Sequence, residues 1–352
     1  DGSTEVDESG TTDTFTIVLD AQPTSDVVLS ISSDDTGEAT VTGTLTFSPV
    51  NWDTPQTITV TGVDDDLIDG LITSSVTISV IDEISDNTFD DISDESISVT
   101  TADDDTAGFT ITETDGSTEV DESGTTDTFT IVLTAEPTSD VILSITSDDT
   151  SEATVTSTLT FTSANWDTPQ TVTITGVDDD IIDGDQTSTI TVTVDDANSD
   201  DDFDAIADQT VSVTTTDDDV AGFTITETDG STEVDESGTT DTFTIVLDAQ
   251  PTSDVVLSIS SDDTGEATVT GTLTFSPVNW DTPQTITVTG VDDDLIDGLI
   301  TSSVTISVID EISDNTFDDI SDESISVTTA DDDTAGFTIT ETDGSTEVDE
   351  SG

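Results

Sequence analysis

Polar and apolar residues alternate along most of this chain. Thr126–Leu133 (TDTFTIVL), Gln170–Thr175 (QTVTIT) and Ser188–Val194 (STITVTV) set Phe, Val, Ile or Leu at alternate positions, with Thr or Ser between them. A period of two marks a strand with one buried face and one wet face. Within residues 107–220 the pattern predicts about seven strands: 107–113, 126–134, 140–147, 152–161 with a break, 169–176, 186–195 and 208–216. Short strands separated by turn residues predict an all-β fold, an antiparallel sandwich of two sheets. Outward rows of threonine also occur on ice-binding faces, but any half-exposed strand presents them.

The pattern repeats. The stretch DGSTEVDESG begins at Asp1, Asp115, Asp229 and Asp343, a period of 114 residues. That length suits one domain and is too long for a solenoid unit. Residues 1–114 and 229–342 are identical, and 115–228 is a diverged copy. Each AGFTITET opens a strand pattern just after an acidic triplet closes one, so domain boundaries are expected near 106, 220 and 334. The predicted organisation is a sandwich lacking its first strand (1–106), two complete sandwiches (107–220 and 221–334), and the first strand of a following domain (335–352). This leaves an open slot in the first domain and a spare strand with inward Phe337 and Ile339. Either the chain is a window on a longer array, or strand 335–342 inserts into the first domain of another copy. Residues 343–352 duplicate 1–10, which favours the window.

Charge changes the picture. The 352 residues carry 83 acids and no Lys, Arg or His, a net charge of −83. High charge alone would suggest disorder, but 31% of the residues are apolar and they fall in the strand runs above. No ion pair is possible. Two carboxylates about 4 Å apart repel by roughly 4 kcal/mol at an effective dielectric near 20. Acidic runs are commonly solvated faces, so bound cations must be argued from clustering. With no cysteine there is no disulfide, and with no lysine no Lys–Asn isopeptide bond, so metal is the remaining reinforcement for a modest sandwich. The same absences remove every trypsin site, which suits an extracellular chain. No run has transmembrane length and none has a signal-peptide pattern, so the sequence reads as a mature chain or a fragment of one.

The acids cluster. An internal DDD is followed about forty residues later by a second DDD at the end of a strand. Calcium takes six to eight oxygens and tolerates irregular carboxylate geometry, whereas magnesium keeps its waters. Zinc, copper and haem are disfavoured without His, Cys or Met. The segment ATVTSTLTFTSANWDTPQTVTITGVDDDIIDGDQ, followed by QTVSVTTTDDD, resembles a Calx-beta-type domain, an immunoglobulin-like calcium-binding sandwich found in tandem in large bacterial surface proteins and adhesins. The resemblance covers every repeat. It implies Ca²⁺, several ions per domain, at the domain junctions. In the middle repeat the implied ligands are Asp178, Asp179, Asp183, Asp217, Asp218, Asp219 and Glu122, joined by Asp148 or Asp149. The first repeat would use Glu8, Asp34, Asp35, Asp64, Asp65, Asp69, Asp103, Asp104 and Asp105. The third would use Glu236, Asp262, Asp263, Asp292, Asp293, Asp297, Asp331, Asp332 and Asp333. A further acid that the family carries after xxDG is replaced by Leu71-Ile72 and Leu299-Ile300 in the outer repeats.

Other chemistries fare poorly. No His or Lys exists to activate a Ser or Thr nucleophile. A glycosidase carboxylate pair cannot be singled out where every loop is acidic. Nucleic acid and anionic membrane are repelled. The expectation is a non-enzymatic, calcium-rigidified extracellular stalk, fibre or biofilm-matrix filament on the cell surface, partnered by copies of itself or adjoining repeats. The alternative is an adhesin whose Trp52, Trp166 and Trp280 stack on surface glycans. A loop Trp plugging the sandwich edge is the commoner use.

Overall fold

The computed structural model describes residues 3–342 together with 344 and 348. The first repeat holds β1 (Thr4–Asp7), β2 (Thr12–Ile17), β3 (Val27–Ser33), β4 (Ala39–Val41), β5 (Thr44–Phe47), β6 (Gln56–Gly62), β7 (Ile72–Val80) and β8 (Glu95–Ala102). The middle repeat holds β9 (Phe109–Glu113), β10 (Thr118–Asp121), β11 (Thr126–Leu133), β12 (Val141–Ser147), β13 (Ala153–Val155), β14 (Thr158–Phe161), β15 (Gln170–Gly176), β16 (Gln186–Val194) and β17 (Gln209–Thr216). The third repeats that order as β18 (Phe223–Glu227), β19 (Thr232–Asp235), β20 (Thr240–Leu247), β21 (Val255–Ser261), β22 (Ala267–Val269), β23 (Thr272–Phe275), β24 (Gln284–Gly290), β25 (Ile300–Val308) and β26 (Glu323–Ala330).

Each repeat is a two-sheet sandwich of immunoglobulin-like form, and among the described residues no sheet is shared between repeats. One sheet has five strands in the orders β1-β8-β7-β3-β5, β10-β17-β16-β12-β14 and β19-β26-β25-β21-β23. The other has four strands in the later repeats, β13-β15-β11-β9 and β18-β20-β24-β22, and three in the first, β2-β6-β4. The sequence pattern missed β10 and its equivalents. These run only four residues, TEVD, inside an acid- and glycine-rich stretch, yet Thr118 and Val120 are buried. That strand also departs from a wholly antiparallel sandwich. β1 runs parallel to β8 (Thr4 opposite Val99, Asp7 opposite Ala102), and β19 runs parallel to β26.

By chain contacts there are two compact units. The first comprises residues 1–120, 125–176 and 187–214, and so contains the first repeat and the body of the middle one. The second comprises 121–124, 177–186 and 215–352, and so joins the acidic loops of the middle repeat to the third. Within each sandwich the alternation does what it predicts: Val141, Leu143 and Ile145 of β12 face in, as do Ile190, Val192 and Val194 of β16. Phe129, Phe161 and Phe203 are fully buried in the middle core, and Phe243, Phe275 and Phe317 in the third. Fully burying one such side chain is worth about 1.5–3 kcal/mol. Trp166 and Trp280 are partly buried and pack against these cores.

The loop after β7, β16 or β25 is the second acidic stretch of each repeat. Its buried aspartate is a structural anchor. Asp314 accepts from the Ser253 N–H at 2.6 Å, the Thr252 hydroxyl at 2.7 Å, and the Thr316 N–H and hydroxyl at 3.1 and 2.9 Å. Burial pushes its carboxyl up, but these donors outweigh burial and hold it at about 2. Asp200 and Asp86 do the same work, with pKa values likewise below the usual range. The turn each anchor starts delivers Phe203 or Phe317 into the core.

Candidate metal centre

The other end of each five-stranded sheet gathers the acidic triplets. The residue after β1 is Glu8, whose N–H donates to Ala102 O at 3.0 Å and so lies at the end of β8. Its close packing needs a glycine opposite: a Cβ on Gly62, the last residue of β6, would lie 2.1 Å from Asp7 O, and on Gly290 2.2 Å from Asp235 O. The G of TGVDDD therefore lets the parallel edge strand press its glutamate inward. The following loop turns through Gly70 and Gly298, with φ of 74° and 82°. It is tied to the terminal triplet, since the Gly70 N–H donates to Asp103 Oδ2 at 2.8 Å and the Gly298 N–H to Asp331 Oδ2 at 2.8 Å.

Among the described residues five groups of three carboxylates converge, each offering one oxygen within 4.8 Å of the others. In the first repeat they are Glu8, Asp65 and Asp105, and Glu8, Glu38 and Asp69. The third repeat has the same pair of groups: Glu236, Asp293 and Asp333, and Glu236, Glu266 and Asp297. In the middle repeat Glu122, Asp179 and Asp219 converge. Glu8 and Glu236 are 0% exposed, and neither oxygen of either carboxylate has a hydrogen-bond donor. Glu38 and Glu266 are also buried, each with one undonated oxygen.

A buried carboxylate without a donor or counter-charge is costly. Burial first, then the neighbouring acids, pushes Glu8 up to about 7 and Glu236 to about 7. Asp219 rises to about 6 for the same reasons. Asp69, Asp105 and Asp333 shift upward too, again chiefly through burial. Only protons or cations relieve such an arrangement, and this chain has no cationic side chain. Hard carboxylate oxygens in irregular groups, without His or Cys, fit a calcium-type ion.

The remaining sequence candidates have other partners. Asp103, Asp217 and Asp331 spend both oxygens on N–H groups. One holds the glycine turn, and the other accepts from Asp105, Asp219 and Asp333 respectively at 2.7–2.9 Å. They shape the centre and stand outside the five groups. Asp104 rises through burial and then through Asp7 and Asp64, and Asp218 through burial and then Asp121 and Asp178, which marks a separate, more exposed acidic edge. By sequence position Asp292 and Asp332 of the third repeat correspond to Asp178 and Asp218. Asp183 is exposed and, unlike Asp69 and Asp297, joins no group among the described residues.

The early-loop aspartates differ from expectation. Asp34, Asp148 and Asp262 each accept a backbone N–H across the loop, from Ser75, Thr189 and Ser303 at 2.6–2.7 Å. Asp35, Asp149 and Asp263 each close their own turn, accepting the N–H two residues on at 3.0–3.1 Å. The acid of that loop which reaches the centre is the next one, Glu38 or Glu266. Sequence reasoning missed it because GEAT looks unremarkable beside SDD. Its signal was position, an acid immediately before a strand whose first residue, Ala39 or Ala267, is buried.

The triplet loop also touches the next repeat. In the first unit the Glu136 N–H donates to Asp66 O at 2.6 Å, Leu67 forms a parallel bridge with Glu136, and Ile68 packs on the middle core. In the second unit the Gln250 N–H donates to Asp180 O at 2.6 Å, Ile181 bridges Gln250, and Ile182 packs on the third core. Only three residues separate Asp105 from β9, and three separate Asp219 from β18.

No family model matches this chain, and no curated protein matches it. Among solved structures it is similar to the calcium binding domain CBD12 of CALX1.1, with 16% identity over 56% of this chain and 80% of that one, TM-score 0.27. Domains 4–9 of the surface layer protein SbsC give 16% identity over 89% of this chain and 40% of theirs, TM-score 0.27. The I67–I69 fragment of titin gives 10% identity over 94% and 96%, TM-score 0.27. At these identities and scores the case for a metal rests on the buried oxygens alone. Among the described residues no helix is long and apolar enough to cross a membrane.

Proposed function

We propose that this chain is a calcium-rigidified, extracellular structural repeat, a stretch of stalk, fibre or matrix filament with no catalytic role. The observation that carries the reading is Glu8 and its counterpart Glu236, fully buried acids with no donor on either oxygen, each facing further carboxylates. Glu8, Asp65, Asp105, Glu38 and Asp69 would hold Ca²⁺ in the first repeat. Glu122, Asp179 and Asp219 would do so in the middle one, and Glu236, Asp293, Asp333, Glu266 and Asp297 in the third. A bound divalent ion supplies positive charge that the sequence lacks. Asp103 and its equivalents position the loop, and Gly62 and Gly290 admit the buried glutamate.

Rigidification follows from placement. Asp65 precedes Asp66 and Asp179 precedes Asp180, whose carbonyls take the N–H of the next repeat. Holding the acidic loop in one conformation therefore fixes the contact through which successive repeats meet. Small-angle scattering tests this. The chain in millimolar calcium should give a single extended profile, which broadens and contracts in excess EGTA. Identical profiles in both conditions would defeat the rigidifying role.

A further inference from the structure

We propose that each acidic centre stabilises the repeat that follows it, through an isoleucine hook carried on the acidic loop. The inference rests on the calcium reading above and gives it a direction. In the first repeat the loop reads Asp65-Asp66-Leu67-Ile68-Asp69. Asp65 converges with Glu8 and Asp105, and Asp69 with Glu8 and Glu38, so both ends of this segment belong to the centre. The residues between them meet the middle repeat. Asp66 O accepts the Glu136 N–H, Leu67 bridges Glu136, and Ile68 packs on the core that holds Phe129 and Phe161. A second segment leaves the same centre. Asp105 is followed by Thr106, whose carbonyl accepts the Thr134 hydroxyl at 2.9 Å, and by Ala107, which packs on that same core. The group of Glu8, Asp65 and Asp105 thus gathers the roots of two attachments to the middle repeat.

The second junction is built alike. Glu122, Asp179 and Asp219 converge, and Asp180 O accepts the Gln250 N–H. The Ile182 N–H donates to Gln250 O at 3.5 Å, and Ile182 and Ala221 pack on the third core. Residues 121–124 and 177–186 accordingly group with the third repeat in one compact unit. The receiving side is fixed without metal: Gln250 Nε2 donates to Pro277 O at 2.9 Å, and Asp314 holds Thr252 and Ser253 just beyond it. One difference separates the two junctions. Asp183, at the position of Asp69, is exposed and joins no group among the described residues. The Gln186 side-chain amide donates to Asp183 O and Gly184 O at 3.1 Å, where the first repeat has Ile72. The middle hook is therefore gripped by its centre at one end only.

Without a cation the carboxylates of a centre repel one another, and outward movement of the acidic loop relieves them. Displacing Asp65 or Asp179 draws the next carbonyl and the hook with it. The following repeat then loses a backbone hydrogen bond and an apolar contact at the edge of its core. Positive charge among the acids removes that drive, so the following repeat shares in the free energy with which its neighbour's acids bind an ion. The coupling is reciprocal: a folded third repeat raises the affinity of the middle centre by the same factor. Each hook contacts the repeat after it, which makes the effect directional along the chain.

Full-length chains that keep Trp52, Trp166 or Trp280 alone, with the other two replaced by Phe, report on one repeat each. Melting is followed in calcium and in EGTA, and the difference is the calcium response of that repeat. Asp179→Asn should lower the response of the third repeat by roughly 5 °C or more and leave that of the first unchanged. In an Ile182→Ala background the same substitution should move the third repeat less than half as far, since the hook transmits the effect. Asp69→Asn should lower the response of the middle repeat, whereas Asp183→Asn should leave that of the third as it was. Melting in EGTA checks that each variant folds, and Ile182→Val replaces Ile182→Ala if the latter does not. No calcium response from any tryptophan would defeat the metal reading and the coupling together. Responses confined to the repeat whose acid is changed would overturn the coupling alone. So would an Asp179→Asn shift more than half retained without the hook, or equal effects of Asp69→Asn and Asp183→Asn.

Discussion

Asp314→Asn isolates the acid that needs no metal. Its Oδ2 accepts the Ser253 N–H at 2.6 Å and the Thr252 hydroxyl at 2.7 Å, and its Oδ1 accepts two donors from Thr316. An asparagine keeps one acceptor and turns an NH₂ toward the other pair. The hydroxyl can rotate to accept, but the Ser253 N–H is left facing a donor. A bond to a charged acceptor is worth about 1.5–3 kcal/mol and a stranded donor costs roughly 1–3 kcal/mol. Allowing for overlap, the loss should be about 3 kcal/mol, or roughly 12–24 °C in melting temperature for a domain near 100 residues. Trp280 reports on the third repeat alone once Trp52 and Trp166 are replaced by Phe, so urea unfolding followed by its fluorescence reads the effect. The Asp314 carboxyl is held at about 2 against an ordinary 3.8. Its stabilisation is therefore present above pH 3.8 and lost as pH falls through about 2, where the variant and parent should converge. EGTA should leave the difference unchanged. A cost under about 1 kcal/mol, or a gap that vanishes on chelation, would show that this loop is not the self-sufficient anchor described.

At the opposite end of the sandwich the signs invert. Glu236→Gln should raise the melting temperature of chelator-stripped protein at pH 8, by removing a buried charge, and lower it relative to the parent in calcium; the exposed control Glu233→Gln should do neither, as paired melting curves will show. The Glu8 and Glu236 carboxyls lie near 7 against an ordinary 4.5. In the stripped protein their contribution is therefore fully present below pH 4.5 and lost as pH rises through about 7, whereas excess calcium should abolish or reverse that trend in the same scan. Trp166→Ala should cost about 2 kcal/mol in urea unfolding, less than a fully buried ring would, since the indole is only partly buried against the core. A glycan array showing binding lost in that variant would promote the carbohydrate-adhesin alternative.

Strands of six residues or more were legible because alternation over that length leaves one face dry. The TEVD strand was not, since four residues give only two inward positions, Thr118 and Val120, and acids surround them. The acidic end was legible as a cluster, and its buried centre lay in the expected glutamate of DESG. Membership was less legible. An aspartate beside a loop N–H is captured by it, as Asp34 and Asp103 are, and sequence spacing cannot show which acids have donors within reach. Glu38 escaped notice because only the fold brings the start of β4 beside Glu8. The opposite acidic loop is rich in hydroxyl and amide donors, with Phe203 or Phe317 driven inward behind them.

Equilibrium calcium binding to the stripped chain, at pH 7.5 in 150 mM KCl with melting followed in parallel, tests the metal reading most directly. Extracellular calcium modules bind with dissociation constants of about 0.1–1 mM, and calcium at 100 times that constant adds roughly 2.7 kcal/mol per site. Saturable uptake of at least one ion per acidic end is predicted, with a melting temperature that climbs as the sites fill and with magnesium a poor substitute. Unsaturable uptake that added KCl abolishes, with melting unchanged from EGTA to excess calcium, would contradict it.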